Sequence, residues 1–318
     1  MKLPFQIRAE RDFDAVGFGL NAVDHLIVVP EYPQFDTKIR FTDHQQSAGG
    51  QTATAMVALQ RLGLKTAYAG RFGSDDAGVF ARQSLAKEGV NLEFAETMED
   101  ATNQLAFIII DARSGERTII WDRDEQLSYR ANEVPIDLAS RGRVLHLDAH
   151  DPPACAAMAR VARDASVIVT ADIDNVYEGV EDLLPLIDVL ITSSEFPQRL
   201  TRIADLRTSL LEMKSRYGCP IVGATLGAHG ALVYCNGEFI ESPAFAVPGG
   251  CRDTTGAGDA FHAGFIYAMI LGEDLEGCMM TANAVAALKC RELGGRAALP
   301  DQKELHKFLS EPPAVAGG

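Results

Sequence analysis

The sequence predicts an α/β protein: a three-layer αβα body around a mostly parallel sheet, with a small β-sheet lid at one edge. Three observations carry this. From about residue 143 onward, the strand-like runs RVLHLDA, SVIVTAD, DVLITSS, PIVGATLG and ALVYCNG are interleaved with the helix-like runs PPACAAMARVARD and DLRTSLLEMKSRYG. Such alternation is the mark of a parallel sheet with crossover helices. Two earlier groups of strands, at about 24–46 and 104–122, fall outside that alternation and are too few to build a second core. Finally, the 318 residues are 47% apolar and 23% charged, an ordinary globular composition with room for one large domain or two smaller ones. The reading adopted is one domain over 12–310, with terminal extensions at 1–11 and 311–318.

The elements follow in order. DAVGFGL (14–20) is a short apolar run ending in glycines and reads as a buried strand. LIVVP (26–30) and KIRFTDHQ (38–45) are rich in strand formers, and SAGG ends that part. QTATAMVALQRLG (51–63) has helical spacing and stops at Gly63, a residue suited to the position after a helix. KTAYAGRFG is a strand and turn. DDAGVFARQSLAKEGV is a helix with acids in its first turn and Gly89 at its end. LAFIIIDARSGERTIIW (105–121) is a hairpin about Ser114–Gly115. The closing EPPAVAGG reads as a loose tail.

Charge and cysteines narrow the function. The net charge of −15 argues against nucleic acid or an anionic membrane as the main partner. It leaves a phosphate ligand open, because backbone dipoles hold phosphate locally. Cys155, Cys219, Cys235, Cys251, Cys278 and Cys290 form no C-x-x-C pair and no zinc-type cluster, as expected in a reducing cytoplasm. The longest apolar runs are too short to span a bilayer, and the N-terminal stretch lacks the apolar core of a signal peptide. GFGLNA (17–22), with Asp36 beyond it, matches a dinucleotide fingerprint, but β-branched residues and prolines follow where that fold needs a helix. No P-loop sequence occurs.

The stretch CRDTTGAGDAFHAG (251–264) carries the chemistry. It leads into FHAGFIYAMILG, whose apolar spacing is helical, so Gly256 and Gly258 fall at a helix N-terminus. Free N–H groups and the helix dipole there favour an anion, and glycines let it approach the backbone. Two readings of Asp259 stand side by side. It is a favourable first-turn acid, or it is a general base that takes a proton from a hydroxyl attacking phosphorus.

DTTGAGDAF resembles the C-terminal signature of the ribokinase-like (PfkB) family of carbohydrate kinases, and the likeness extends along nearly the whole chain. SAGGQTATAMVALQRLGLKTAYAGRFGSDDAG is similar to the family's glycine signature and the strand and helix after it. TLGAHG (225–230) resembles the segment beside the ATP phosphates, ANAVAA (282–287) the helix with an adenine-side Asn, and GERTII (115–120) a lid hairpin. The resemblance implies a ribokinase-like fold and an ATP-dependent kinase. Asp259 would be its base, and the amides of Gly256, Ala257 and Gly258 its anion hole. Thr225, Gly227, Gly230 and Asn283 would line the ATP site. Asp24, with Gly49, Gly50, Gln51 and Thr54, would bind the sugar. Asp148 would be a second sugar-facing acid, or else a strand-end turn acid. Glu195 would organise Mg²⁺ through water, and Asp253 and Thr255 would help to hold a monovalent cation such as K⁺.

This sequence departs from the family pattern in places. Gln51 and Thr54 stand where asparagines are usual, and Thr192 replaces the Asn of N-x-x-E. The run Asp172–Val176 lacks the arginine with which relatives bind acidic substrates, and this points to a small neutral sugar. Arg117 is the one lid arginine weighed as a replacement, against a solvated hairpin position. Two other functions fit the same features: a nucleoside kinase, with Phe35, Phe41, Phe107 and Trp121 available for stacking, and a sugar- or nucleotide-sensing protein without turnover. The exposed lid edges imply a homodimer.

Overall fold

The computed structural model describes residues 1–310. The chain begins with β1 (Phe13–Phe18), β2 (Ala22–Val29), β3 (Asp43–Gly49), α1 (Gln51–Arg61), β4 (Thr66–Ala69), β5 (Arg71–Gly73), α2 (Asp76–Lys87) and β6 (Glu96–Met98). It continues through β7 (Leu105–Asp111), β8 (Arg117–Asp122), β9 (Gly142–Leu147), α3 (Pro152–Asp164), β10 (Ile168–Ala171), α4 (Val180–Leu183) and β11 (Val189–Ser193). Then come α5 (Glu195–Thr201), α6 (Leu206–Tyr217), β12 (Ile221–Thr225), β13 (Ala231–Cys235), β14 (Glu238–Ser242), α7 (Ala257–Leu271), α8 (Leu275–Lys289) and α9 (Gln302–Ser310).

The main sheet has the order β14-β13-β12-β11-β10-β9-β1-β4, parallel from β4 to β12 with an antiparallel hairpin at the β14 edge. Its strands are buried on both faces, as a parallel sheet between helices must be. Alternate residues take opposite sides. Ala15, Val144, Ile168, Val189 and Ile221 pack with α1, α7 and α8. Val16, Leu145, Val169, Leu190 and Val222 pack with α3, α4 and α6. These two apolar layers make the expected αβα body.

The second sheet, β3-β2-β7-β8, is the lid. Leu26, Ala106, Ile108 and Ile110 form its own small core, which touches the body through Leu293. The strand expected over 38–45 instead spans Asp43–Gly49, because pairing with β2 from Val28↔Asp43 to Ala22↔Gly49 sets its limits. Thr42 N–H still donates to the Val28 carbonyl of β2 at 2.8 Å, but the residues before it lie outside the ladder despite their strand propensity, and tertiary pairing overrides propensity. The GFGLNA stretch runs from β1 to β2 with no helix, and Asp36 is an exposed turn residue. Residues 1–11 dock on the body: Leu275 N–H donates to the Met1 carbonyl at 2.8 Å, and Leu3, Phe5 and Ile7 pack against the core. The expected tail at 311–318 lies outside the described residues. Among the described residues no helix is long and apolar enough to cross a membrane.

Candidate active site

A cavity of about 760 Å³ opens between the lid and the C-terminal ends of the sheet strands, where α/β folds place their ligands. The mouth of α7 divides it. Gly256 caps that helix in the left-handed conformation (φ 76°), and a Cβ there would lie 2.8 Å from Gly295 Cα. Both facts require glycine. The Ala257 N–H is already committed to the Thr254 carbonyl at 3.1 Å, so of the three amides expected to form an anion hole this one is not free. Asp259, in the first turn of α7, is half-buried and lines the cavity at this junction. Burial, then the carboxylates of Asp172 and Asp24, push its pKa well above the usual range, against the pull of Arg117 and Arg296. A carboxylate so raised is a stronger base than a solvated one.

On the lid side, Asp24, Gly49, Gly50, Gln51 and Thr54 all line the cavity. A Cβ on Gly49 would sit 2.1 Å from Asp24 Oδ2, so the glycine lets that carboxylate lie against the backbone. Asp24 is 6% exposed, and burial raises its pKa to about 6 despite the nearby Arg296. Gln51 Oε1 is buried with no hydrogen-bond partner, leaving an acceptor free for a ligand hydroxyl. Thr54 Oγ1 accepts from Arg296 Nε at 3.2 Å. Arg296 also donates to the Gly49 carbonyl (2.6 Å) and to Ser84 Oγ (3.3 Å), so it ties the floor of this half together.

Asp148 does not line the cavity. Its Oδ2 accepts from Leu20 N–H (2.5 Å) and Thr52 Oγ1 (2.9 Å), behind the β1–β2 turn. Its Oδ1 lies 3.6 Å from Nδ1 of His150, which does face the cavity. His150 Nε2 meets the Tyr177 hydroxyl at 3.0 Å, and that hydroxyl donates to Asp174 Oδ1 at 3.3 Å. Asp148 therefore reaches the cavity only through His150, and the acids that line the cavity are Asp24, Asp172, Asp174 and Asp259. Burial favours the protonated form of Asp172, but His262, with Nε2 3.4 Å from Oδ1, outweighs it and holds this carboxyl below its ordinary value. Arg117 is exposed on the lid hairpin, as one reading expected, and it also lines the cavity and donates to Thr254 Oγ1.

On the far side, Thr225, Gly227 and Asn283 line the cavity. The Asn283 amide is engaged with Ser242 and with the Pro243 carbonyl, so it shapes the wall after β14. Gly230 does not line the cavity. A Cβ there would lie 2.0 Å from the Ser242 carbonyl oxygen, so this glycine serves the tight packing of the β12–β13 turn. Glu195 is exposed at the start of α5, next to the cavity-lining Ser193 and outside the cavity itself. Asp253 is fully buried and paired with Lys289.

Sequence reasoning missed Arg296, His150, Tyr177, His262 and Lys289. His150 and Tyr177 lie on β–α loops and Arg296 on the α8–α9 loop, where no local pattern marks a function. Lys289 carried a readable signal, a lone cation at the end of the apolar run ANAVAALK.

The chain belongs to the pfkB family of carbohydrate kinases, whose family model matches residues 15–302. It is an ATP-dependent phosphotransferase of that family, with a ribokinase-type fold. It is 26% identical over 312 residues to a nucleoside kinase from Methanothermobacter thermautotrophicus, covering 95% of this chain and 99% of that one. It is 30% identical over 292 residues to an ATP-dependent ribose-1-phosphate kinase from Halopiger xanaduensis, with 91% and 95% coverage. The structure of a fructokinase with bound ATP from Xylella fastidiosa superposes with a TM-score of 0.78 at 25% identity, over 94% and 98% of the two chains.

Proposed function

We propose that this protein transfers the γ-phosphoryl group of ATP to a hydroxymethyl group of a small neutral sugar of the ribose or fructose kind. One observation carries the choice of substrate: the lid half of the cavity presents Asp24, Asp172 and Asp174 around Asp259. Carboxylates accept hydroxyl protons and repel an acidic substrate. Arg117 sits beside the anion hole at Thr254, a position suited to the transferring phosphoryl more than to the acceptor.

In this reading the sugar is held by Asp24 and Gln51, and its reacting hydroxyl gives its proton to Asp259. The Gly256 and Gly258 amides and Arg117 face the charge that develops on the phosphoryl oxygens. Closure of the lid excludes water as a competing acceptor. The donor set fits a water-held Mg²⁺: it takes most of its oxygens from water and phosphate, and Glu195 stands beside the nucleotide half to orient that water. Bound there, Mg²⁺ would neutralise charge on the ATP phosphates.

A second reading, a nucleoside acceptor, is favoured by the aromatic corner at the lid end. Trp121 and His150 pack edge to face at 6.4 Å, and His150 lies 4.8 Å from the Tyr177 ring. A panel of neutral sugars, phosphorylated sugars and nucleosides in an ADP-release assay separates the two. Turnover confined to nucleosides or to ribose 1-phosphate would overturn the neutral-sugar reading. ATP binding without turnover on any of them would leave a sensing role. We also infer that the lid pairs two copies, because Phe107 and Ile120, paired neighbours on β7 and β8, are 46% and 57% exposed. A monomer by sedimentation would refute that.

The raised pKa of Asp24 gives a pH test. The ionised carboxylate is the form that accepts hydroxyl protons, and it is lost as pH falls through about 6. KM for the sugar is expected to climb about tenfold per pH unit below that point. The folded chain holds this proton more tightly than the unfolded chain. Ionising Asp24 therefore removes stability progressively from the usual carboxylate range up to pH 6, and fully above it. Asp24→Asn should thus melt higher than wild type at pH 8 while its KM rises. An unchanged pH dependence of KM, or a lower melting temperature, would contradict this role.

A further inference from the structure

The residues around Asp253 do not fit a monovalent metal ion. Lys289, the last residue of α8, is fully buried, and its Nζ donates to the Asp253 carbonyl at 2.9 Å. The same ammonium lies 3.8 Å from Asp253 Oδ2, and both side chains are 0% exposed. The Asp253 carboxylate is otherwise fully engaged: Oδ1 accepts from Thr255 N–H at 2.8 Å and Oδ2 from Gly294 N–H at 2.7 Å. The Cys290 carbonyl accepts from Arg252 N–H at 2.9 Å. Among the side-chain oxygens here, Thr255 Oγ1 alone is buried without a hydrogen-bond partner. The Asp253 carbonyl and carboxylate, which a desolvated alkali ion would need among its oxygens, are already committed to the Lys289 ammonium and to backbone amides. An added cation would also share a buried site with an ammonium already neutralising its only anion.

We propose that the Lys289 ammonium is a built-in cation that takes the place of K⁺ and makes the reaction independent of monovalent metal. Lys289 is then a positioning residue. It fixes the Asp253 carbonyl while the Asp253 carboxylate binds the amides of Thr255 and Gly294, so two loops are pinned against each other. Those loops meet where Gly256 packs on Gly295, and Gly256 and Gly258 line the cavity at that junction. The activity part of the test rests on the kinase reading above; the melting part does not.

The experiment compares wild type and Lys289→Ala in KCl, NH₄Cl, NaCl and tetramethylammonium chloride at one ionic strength, reading melting temperature and turnover in each. Wild type is expected to give the same melting temperature and turnover in every salt. Lys289→Ala is expected to melt lower in tetramethylammonium chloride and to lose at least about tenfold in turnover, less than the loss of a whole anion-hole donor. K⁺ or NH₄⁺, small enough to enter the emptied space, should restore both. A wild type that melts higher or turns over severalfold faster in K⁺ would overturn the proposal. So would a variant with no loss, or one whose loss no small cation restores, since a purely structural lysine gives that result. Should the variant fail to fold, the wild-type salt series alone decides. Should no acceptor be turned over, the melting series still decides the cation question, separately from the substrate question.

Discussion

Asp259→Asn is expected to lower turnover at least about 100-fold with little change in sugar KM, because the amide keeps size and contacts but takes no proton. Steady-state kinetics with the sugar found in the substrate panel measures this. Near-normal turnover would remove Asp259 from the chemistry. The same residue sets a pH signature. Its pKa is held up by burial, by Asp172 and by Asp24, and the reactive form is the carboxylate. The acid limb of kcat/KM therefore lies above the ordinary carboxylate range, and activity is lost as pH falls through it. Asp172→Asn removes one of the neighbouring negative charges, so it is expected to move that limb to lower pH. A limb that stays in place would show that Asp172 does not act on the base.

Arg296→Met is expected to have the largest effect on stability. The guanidinium is 5% exposed and bridges the Gly49 carbonyl, Thr54 Oγ1 and Ser84 Oγ, and Asp24 is the carboxylate that acts on it most strongly. Methionine preserves much of the volume and leaves those acceptors and the Asp24 carboxylate without their cation. Loss of one partner from such a buried set costs roughly 3–5 kcal/mol, equivalent to a melting temperature lower by about 5–8 °C for a domain of this size. KM for the sugar should rise in step, since the Gly49 turn and α1 lose their tie. A variant that melts like wild type would mean that Arg296 is a spectator. Together with Asp24→Asn, which is expected to stabilise, it tests whether this half of the cavity is held together by charge.

Much of this was legible in the sequence, for identifiable reasons. The helix expected over 152–164 occupies Pro152–Asp164 because two prolines preset its first turn. The mouth of α7 was legible because glycine spacing, helix dipole and a first-turn acid all reported on the same few residues. The lid was placed correctly as two excursions from the body, but β3 was misplaced because its limits depend on a partner strand. The site residues that escaped are those whose meaning arises only in three dimensions. Arg296 reads as one charge in CRELGGRAA until the fold carries it beneath Gly49. Asp148 reads as a ligand-facing acid until Leu20 N–H and Thr52 are found on its oxygens. The cation site shows the same limit from the other direction: Asp253 and Thr255 match a familiar pattern, and the residue that changes its meaning comes from α8.

Where β3 runs into α1, a single residue separates lid from body. β3 ends at Gly49 and α1 begins at Gln51, and Gly50 between them adopts φ 91° with its Cα facing Asn21 so closely that a Cβ would lie 2.4 Å away. There is no slack at this point for the lid to move without the first turn of α1 responding. In the proposed function the glycine turn that holds the sugar is the same stretch of chain that joins the lid to α1. Choosing the acceptor and sealing out water would then become one event. A sugar that seats badly at Gly49 would leave the seal incomplete and the γ-phosphate open to solvent, so that discrimination against wrong acceptors is recorded as wasted ATP hydrolysis.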